Sequence, residues 1–165
     1  MTRAVPSKWL WIVAAIAVAL GLAVWGLYPF IVQARFKHHV EGVWFKYIHG
    51  TIPSVPDEYA GVPKEHWYLY WSTTNAVSKL REALRSYPYD SGEGELQYLK
   101  KAIEEYEFAA TKAKILVDPN VAYDESRKTR KTILANMIRG DQLVQEFLGR
   151  SLPNVAPMED STQPN

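Results

Sequence analysis

A long apolar segment lies near the start of the chain, where no charged residue occurs between Lys8 and Arg35. The 26 positions in between are mostly Trp, Leu, Ile, Val, Ala and Phe. A helix rises about 1.5 Å per residue, so roughly 20 residues cross the hydrocarbon core of a bilayer. The pattern therefore predicts a transmembrane helix over residues 9–30, after a short N-terminal flank of residues 1–8.

Aromatic residues stand at both ends of this segment. Trp9 and Trp11 lie at one end, and Trp25 and Tyr28 lie at the other. Because Tyr and Trp prefer the headgroup regions of a bilayer, we expect these four residues to be membrane-interface anchors. A cleaved signal peptide is the alternative, since the preceding flank is basic. Its apolar core normally spans only about 7–15 residues, so the length favours an uncleaved anchor.

The charges that flank the segment are almost balanced, so they orient it only weakly. Arg3 and Lys8 precede it, and Arg35, Lys37 and Lys46 follow it. A short basic N-terminus before a first apolar helix favours a cytoplasmic N-terminus. We therefore expect a single-pass protein of a cell inner membrane or an organelle membrane, with the C-terminal domain on the opposite, periplasmic-type side.

Beyond the anchor, apolar residues recur at steps of three and four, which is the period of amphipathic helices. We expect a juxtamembrane helix over residues 31–50, a Pro-rich loop without a helix over 51–64, and a bundle of about three helices over 65–149. Pro29 predicts a bend in the anchor, and Gly140-Asp141 is a candidate break in the last helix. Residues 150–165 are polar and Pro-rich, which predicts a disordered tail. No strand-like alternation occurs, so the expected fold class is all-α.

The same periodicity predicts which residues of the bundle face inward. Helices are expected over about 64–86, from Leu96 to a stop at 118–120, and over about 124–148. The predicted inward residues are Trp67, Tyr70, Trp71, Thr74, Val77, Leu80 and Leu84 in the first of these helices; Leu96, Leu99, Ile103, Tyr106, Ala110, Ala113 and Leu116 in the second; and Ile133, Leu134, Met137, Ile138, Val144, Phe147 and Leu148 in the third.

Composition and motifs argue against several function classes. The chain has 19 Lys and Arg against 18 Asp and Glu, which is not the basic footprint of a nucleic-acid-binding protein. The absence of cysteine excludes disulfides and thiolate metal ligands. His38 and His39 are adjacent and project about 100° apart, and His49 and His66 merely flank the loop, so no helical zinc spacing occurs. With no nucleophile elbow or phosphate-binding loop, we expect neither an enzyme nor a bound metal or cofactor.

Two groups of residues are candidate interaction surfaces. The first group consists of large aromatic residues at the end of the juxtamembrane helix and in the helix expected over about 64–86. Trp and Tyr are enriched among interface anchors, so these residues are candidate contacts with a partner. Alternatively, they cover the bundle or lie on the lipid headgroups. A basic stretch lies near the start of the last helix, where the helix dipole disfavours cations. It either pairs with the acidic residues at 104, 105 and 107 or contacts anionic lipid or an acidic partner. The aromatic group is Trp44, Trp67, Tyr68, Tyr70 and Trp71, and the basic group is Arg127, Lys128, Arg130 and Lys131.

These features favour a single-pass accessory or scaffold subunit of a larger membrane complex of the respiratory, photosynthetic, transport or secretion type. Small residues spaced by four, as at Ala17 and Gly21 or Ala19 and Ala23, would allow lateral packing against helices of other subunits. The expected partners are the lipid bilayer and other membrane subunits in a hetero-oligomer, without nucleic acid. The alternative is a free-standing, membrane-tethered adaptor or regulator that binds a soluble partner.

Overall fold

A computed structural model describes residues 7–51, 53–88, 94–118, 120 and 123–150, and within these ranges the chain forms helices and no strand. The four α-helices are α1 (Ser7–Ile48), α2 (Lys64–Ser86), α3 (Leu96–Leu116) and α4 (Tyr123–Leu148). The all-α class and the long apolar N-terminal helix are confirmed. The N-terminal flank up to residue 6, the predicted turn residues 89–93 and the predicted tail from residue 151 lie outside the described residues.

The chain divides into two units, residues 1–38 and residues 39–165. In the first unit, every side chain from Lys8 to Ile31 is exposed, and Trp25 reaches 81% exposure. By length and hydropathy α1 could cross a membrane, although a signal sequence near the N-terminus would pass the same test. The helix continues through Pro29, so the proline does not end it.

The second unit is a helical domain that includes the last residues of α1. Val40, Trp44 and Ile48 follow each other at steps of four and are all buried. The central helix is α3, which packs most extensively against α4 and also against α2. Its inward face carries several alanines, which let the neighbouring helices approach closely. The buried residues of α3 are Leu96, Leu99, Ala102, Ile103, Tyr106, Ala109, Ala113 and Leu116.

The buried face of α2 differs from the predicted one. Thr74 is exposed, and Tyr70, Trp71, Val77 and Leu84 are only half-buried. Four of the seven buried residues are small instead, and small residues permit a shorter distance between helices than aromatic side chains do. The hydroxyls of Ser72 and Thr73 are satisfied by the carbonyl of Leu69, so their burial leaves no orphaned donor. The buried residues are Trp67, Leu69, Ser72, Thr73, Ala76, Leu80 and Ala83.

Two expectations for α4 and one for the loop were wrong. α4 runs unbroken through Gly140 and Asp141, because a single glycine within a helix costs only about 1 kcal/mol. Leu134 and Ile138 were expected inside but are 39% and 49% exposed, while Ile133 and Met137 are buried. The loop expected to lack any helix contains a short 3-10 turn over Asp57–Tyr59.

Candidate functional site around Asp141

The side chain of Asp141 on α4 joins three helices of the domain. Trp44 Nε1, near the end of α1, donates a 2.8 Å hydrogen bond to Asp141 Oδ1. The hydroxyl of Tyr106 on α3 donates a 2.5 Å hydrogen bond to the same oxygen. Hydrogen bonds to a carboxylate are stronger than those between neutral groups. We call these three residues, together with Gly140 and His49, the Asp141 junction.

Gly140 makes room for the tyrosine of this junction. A Cβ added at residue 140 would lie 2.8 Å from Cε1 and 2.9 Å from Cζ of Tyr106, closer than carbon atoms approach in folded proteins. Both residues are buried. The glycine therefore lets the aromatic ring lie directly on the backbone of α4, which brings the tyrosine hydroxyl to the neighbouring carboxylate.

His49 closes the junction on its solvent side. It follows the last residue of α1, and its ring meets the Trp44 ring edge-on, with centroids 4.8 Å apart. His49 Nε2 lies 3.8 Å from Asp141 Oδ2, so the two form an ion pair when the imidazole is protonated. The imidazole is 42% exposed and the carboxylate 22% exposed. The carboxylate thus has one oxygen held by two interior donors and the other facing a titratable group.

Burial dominates the electrostatics of the junction. It raises the pKa of Asp141 above its ordinary value, although the hydrogen bonds from Tyr106 and Trp44 and the nearby His49 act in the opposite direction. Burial also raises the pKa of Tyr106 well above its ordinary value, and the negative charge of Asp141 adds to this. Tyr106 therefore remains a protonated donor at physiological pH. The pKa of Tyr68 on α2 is raised by burial first and by Asp141 second.

The predicted aromatic interface residues occupy different environments. Trp44 and Trp67 are buried, whereas Tyr68, Tyr70 and Trp71 are half-buried. The Trp67 ring packs 4.5 Å from that of Tyr59 in the 3-10 turn and 5.7 Å from that of Tyr70. Trp67 Nε1 has no hydrogen-bond partner among the described residues.

The other two aromatic residues contact the end of α1. The Trp71 ring lies 5.5 Å from that of Tyr47, and the Tyr68 hydroxyl donates to the carbonyl of Ile48. The partner interface stays a prediction, and burial restricts its surface to Tyr68, Tyr70 and Trp71. The four anchors Trp9, Trp11, Trp25 and Tyr28 are all exposed on α1.

The basic group at the start of α4 is exposed at all four positions. Glu107 of α3 was one of the acidic residues expected to pair with this group. It instead accepts a hydrogen bond from Arg81 of α2. Arg127, Lys128 and Arg130 form no ion pair with another described residue. Of these residues, Arg130 lines an open groove of about 310 Å³, together with Lys64, Glu65, Tyr68, Leu69 and Leu134.

The histidines have separate neighbours. His49 lies at the Asp141 junction, while His66 Nε2 lies 3.4 Å from Ser126 Oγ. Within the described ranges, no group of three or more His, Asp or Glu side chains is arranged to hold a metal ion. His49 and His66 thus contact different side chains.

Sequence reasoning missed the junction, although parts of its signal were present. Tyr106 was predicted on the inward face of α3, and Gly140-Asp141 was predicted only as a candidate break in the last helix. A buried acidic residue beside a glycine suggests a close approach with a partner, but the periodicity could not say which donors would reach it.

Comparisons with protein-family models, curated proteins and solved structures find no match to this chain.

Proposed function

We propose that this protein is a single-pass accessory subunit that braces a larger membrane complex through α1 and its helical domain. The observation that carries the proposal is the unbroken exposure of α1 from Lys8 to Ile31. Large apolar side chains surround the helix on all sides, and none of them from residue 9 to residue 31 is buried. Such a surface is stable when lipid or other membrane helices cover it.

The domain supports this proposal because it shares α1 with the apolar segment. Val40, Trp44 and Ile48 form part of the domain core, and the Asp141 junction holds Trp44. A regulator that needs only a tether could carry its domain on a flexible linker. Here the residues that follow the apolar segment are committed to the packing of the domain, as expected for a bracing element.

The glycines of α1 support lateral packing. Apart from the adjacent backbone of its own helix, a Cβ added at Gly21 or Gly26 would meet no atom within 4 Å. The backbone is therefore open at both positions, and a neighbouring membrane helix could approach it closely, as it does at small residues spaced by four. The small-residue pattern is common among membrane helices, so it supports the proposal without identifying a neighbour.

The test is purification of the full chain from its native membrane in mild detergent, followed by a native gel and quantitative mass spectrometry of the co-migrating proteins. A structural subunit migrates with a large assembly at constant stoichiometry. Migration alone, or with a variable soluble partner, would support the membrane-tethered adaptor instead. N-terminal sequencing of the purified chain separates an uncleaved anchor from a signal peptide.

The side of the membrane is tested with single cysteines, which the chain allows because it has none of its own. We expect Ser78→Cys, on an exposed position of α2, to react with an impermeant maleimide only from the periplasmic-type side. Labelling from the cytoplasmic side would reverse the proposed orientation.

A further inference from the structure

The exposed apolar residues of α4 form a surface with the groove beside them. Leu134 and Ile138 are four residues apart, so they lie on one face of the helix. Leu134 also lines the groove, together with Leu69 and Tyr68 of α2. We call the groove together with Arg127 and Ile138, which share a helix face with Leu134, the α2–α4 surface.

This surface is basic in a domain that is otherwise acidic. Residues 123–139 contain five basic and two acidic residues, whereas residues 38–165 as a whole contain 15 basic and 18 acidic residues. Lys64 and Arg130 line the groove, and Glu65 is the one acidic residue among its lining side chains. Arg127 and Arg130 are without an ion pair to any other described residue. The complementary ligand is therefore acidic and partly apolar.

Two contacts between α1 and α4 locate the surface within the domain. Glu41 of α1 pairs with Arg150 after the end of α4, and Trp44 pairs with Asp141, so the two helices run in opposite directions. The first half of α4 therefore extends past the end of α1. Arg130 lies 11 residues before Asp141, about 16 Å further along the helix. Within the domain, Arg127 and Arg130 therefore lie beyond the end of α1, on the part of α4 that is remote from Glu41.

The surface is long enough for a partner helix. From Arg127 to Ile138, α4 spans about 16 Å, which equals three turns of a partner helix. Amphipathic helices bind apolar grooves through residues spaced by three and four, and charges at the rim set their orientation. We propose that the α2–α4 surface binds an acidic amphipathic helix of a partner protein. This inference rests on the proposed accessory function and names the surface through which the domain contacts a neighbour.

The test uses the full chain in phosphatidylcholine nanodiscs with an environment-sensitive fluorophore on Ile138→Cys, which is the sole thiol. The probe is a synthetic 18-residue peptide with Leu spaced by three and four and Glu at the other positions. We expect a saturable blue shift of the label. A scrambled peptide of the same composition should give none, and neither should the acidic peptide with the label on Phe108→Cys of α3, an equally exposed apolar position.

Charge reversal tests the electrostatic part of the proposal. Arg127→Glu with Arg130→Glu should weaken binding of the acidic peptide about tenfold or more, since two attractive pairs become repulsive. The matched control is Lys100→Glu with Lys101→Glu on the exposed face of α3, which should leave the affinity unchanged.

Three results would overturn the proposal: no saturable shift at position 138, equal binding of the scrambled peptide, or an equal shift at position 108. A shift at position 138 in phosphatidylserine nanodiscs without peptide would assign the surface to anionic lipid instead. Failure of peptide binding leaves co-migration on the native gel unaffected, so the two proposals fail separately.

Discussion

The two ends of α1 belong to one helix but meet opposite requirements. Between Lys8 and Ile31 every side chain is exposed, and all of them except the terminal lysine are uncharged. Between His39 and Ile48 only one face is apolar and buried, while His39, Glu41 and Lys46 occupy other faces. The first end is therefore defined by the hydropathy of all its residues, and the second end is defined by the spacing of its apolar residues. A helix that must be covered by lipid needs apolar residues all round, whereas a helix in a small domain needs one stripe.

The same substitution should therefore have different effects at the two ends. Val40→Arg places a charge at a fully buried position and should destabilise the domain by about 4 kcal/mol or more, while membrane association is retained. Leu20→Arg should leave the folding of the domain unchanged and oppose membrane insertion by about 3 kcal/mol. Near-UV circular dichroism in detergent measures the first effect, and carbonate extraction of membranes measures the second. Equal loss of domain folding in both variants would contradict the comparison.

The Asp141 junction should account for the next largest effect. Asp141→Ala removes the acceptor of Trp44 Nε1 and the Tyr106 hydroxyl, and each buried donor left without a partner costs about 1–3 kcal/mol. We expect the free energy of unfolding to fall by about 2–4 kcal/mol in urea titrations of the detergent-solubilised chain.

Asp141→Asn is the matched control because its amide oxygen can still accept both hydrogen bonds. It should lose much less stability than Asp141→Ala. Equal losses would show that the carboxylate charge, rather than the two hydrogen bonds, holds the helices together.

Two glycines give a smaller and opposite pair of effects. Gly140→Ala forces the Tyr106 ring away from α4 and should destabilise the domain by about 1–3 kcal/mol. Gly42→Ala, at an exposed position of α1 where a Cβ meets no other atom, should stabilise the helix by about 0.5–1 kcal/mol. The midpoints of thermal unfolding should therefore move in opposite directions. Stabilisation by both substitutions would contradict the packing of the Tyr106 ring against Gly140.

The smallest expected effect is a dependence of stability on pH. Because the pKa of Asp141 is raised above its ordinary value of 3.8, the folded domain holds this proton more tightly than the unfolded chain does. The resulting stabilisation is fully present below pH 3.8 and is lost as the pH rises through the raised pKa. The unfolding midpoint of the parent chain should therefore fall relative to that of Asp141→Asn as the pH rises over this window.

The same pH series can be repeated in a His49→Gln background. This substitution removes the imidazole that forms an ion pair with Asp141 when it is protonated. In that background, the unfolding midpoint of the chain that retains Asp141 should still fall relative to that of Asp141→Asn as the pH rises. A midpoint that rises relative to Asp141→Asn would mean that the carboxylate is stabilised in its charged form.

The sequence by itself determined the number, type and approximate limits of the long helices. An apolar run without charge and a period near 3.6 are local properties, and so are the helix-ending prolines and glycines. The helix predicted over 64–86 lies at Lys64–Ser86, and the inward face of α3 was largely right because its apolar residues form a single narrow stripe.

Only the tertiary structure decided which of several apolar faces is buried. In α2 the buried face combines Trp67 and two leucines with four small residues, whereas Tyr70 and Trp71 stay half-buried, and small residues allow a shorter helix–helix distance. In α4 the apolar residues cover more than one face, so Leu134 and Ile138 remain outside once Ile133, Met137 and Val144 fill the core. The Asp141 junction depends on donors 97 and 35 residues away along the chain. Helical periodicity describes one element at a time, whereas burial and hydrogen bonding depend on which surfaces the other elements present.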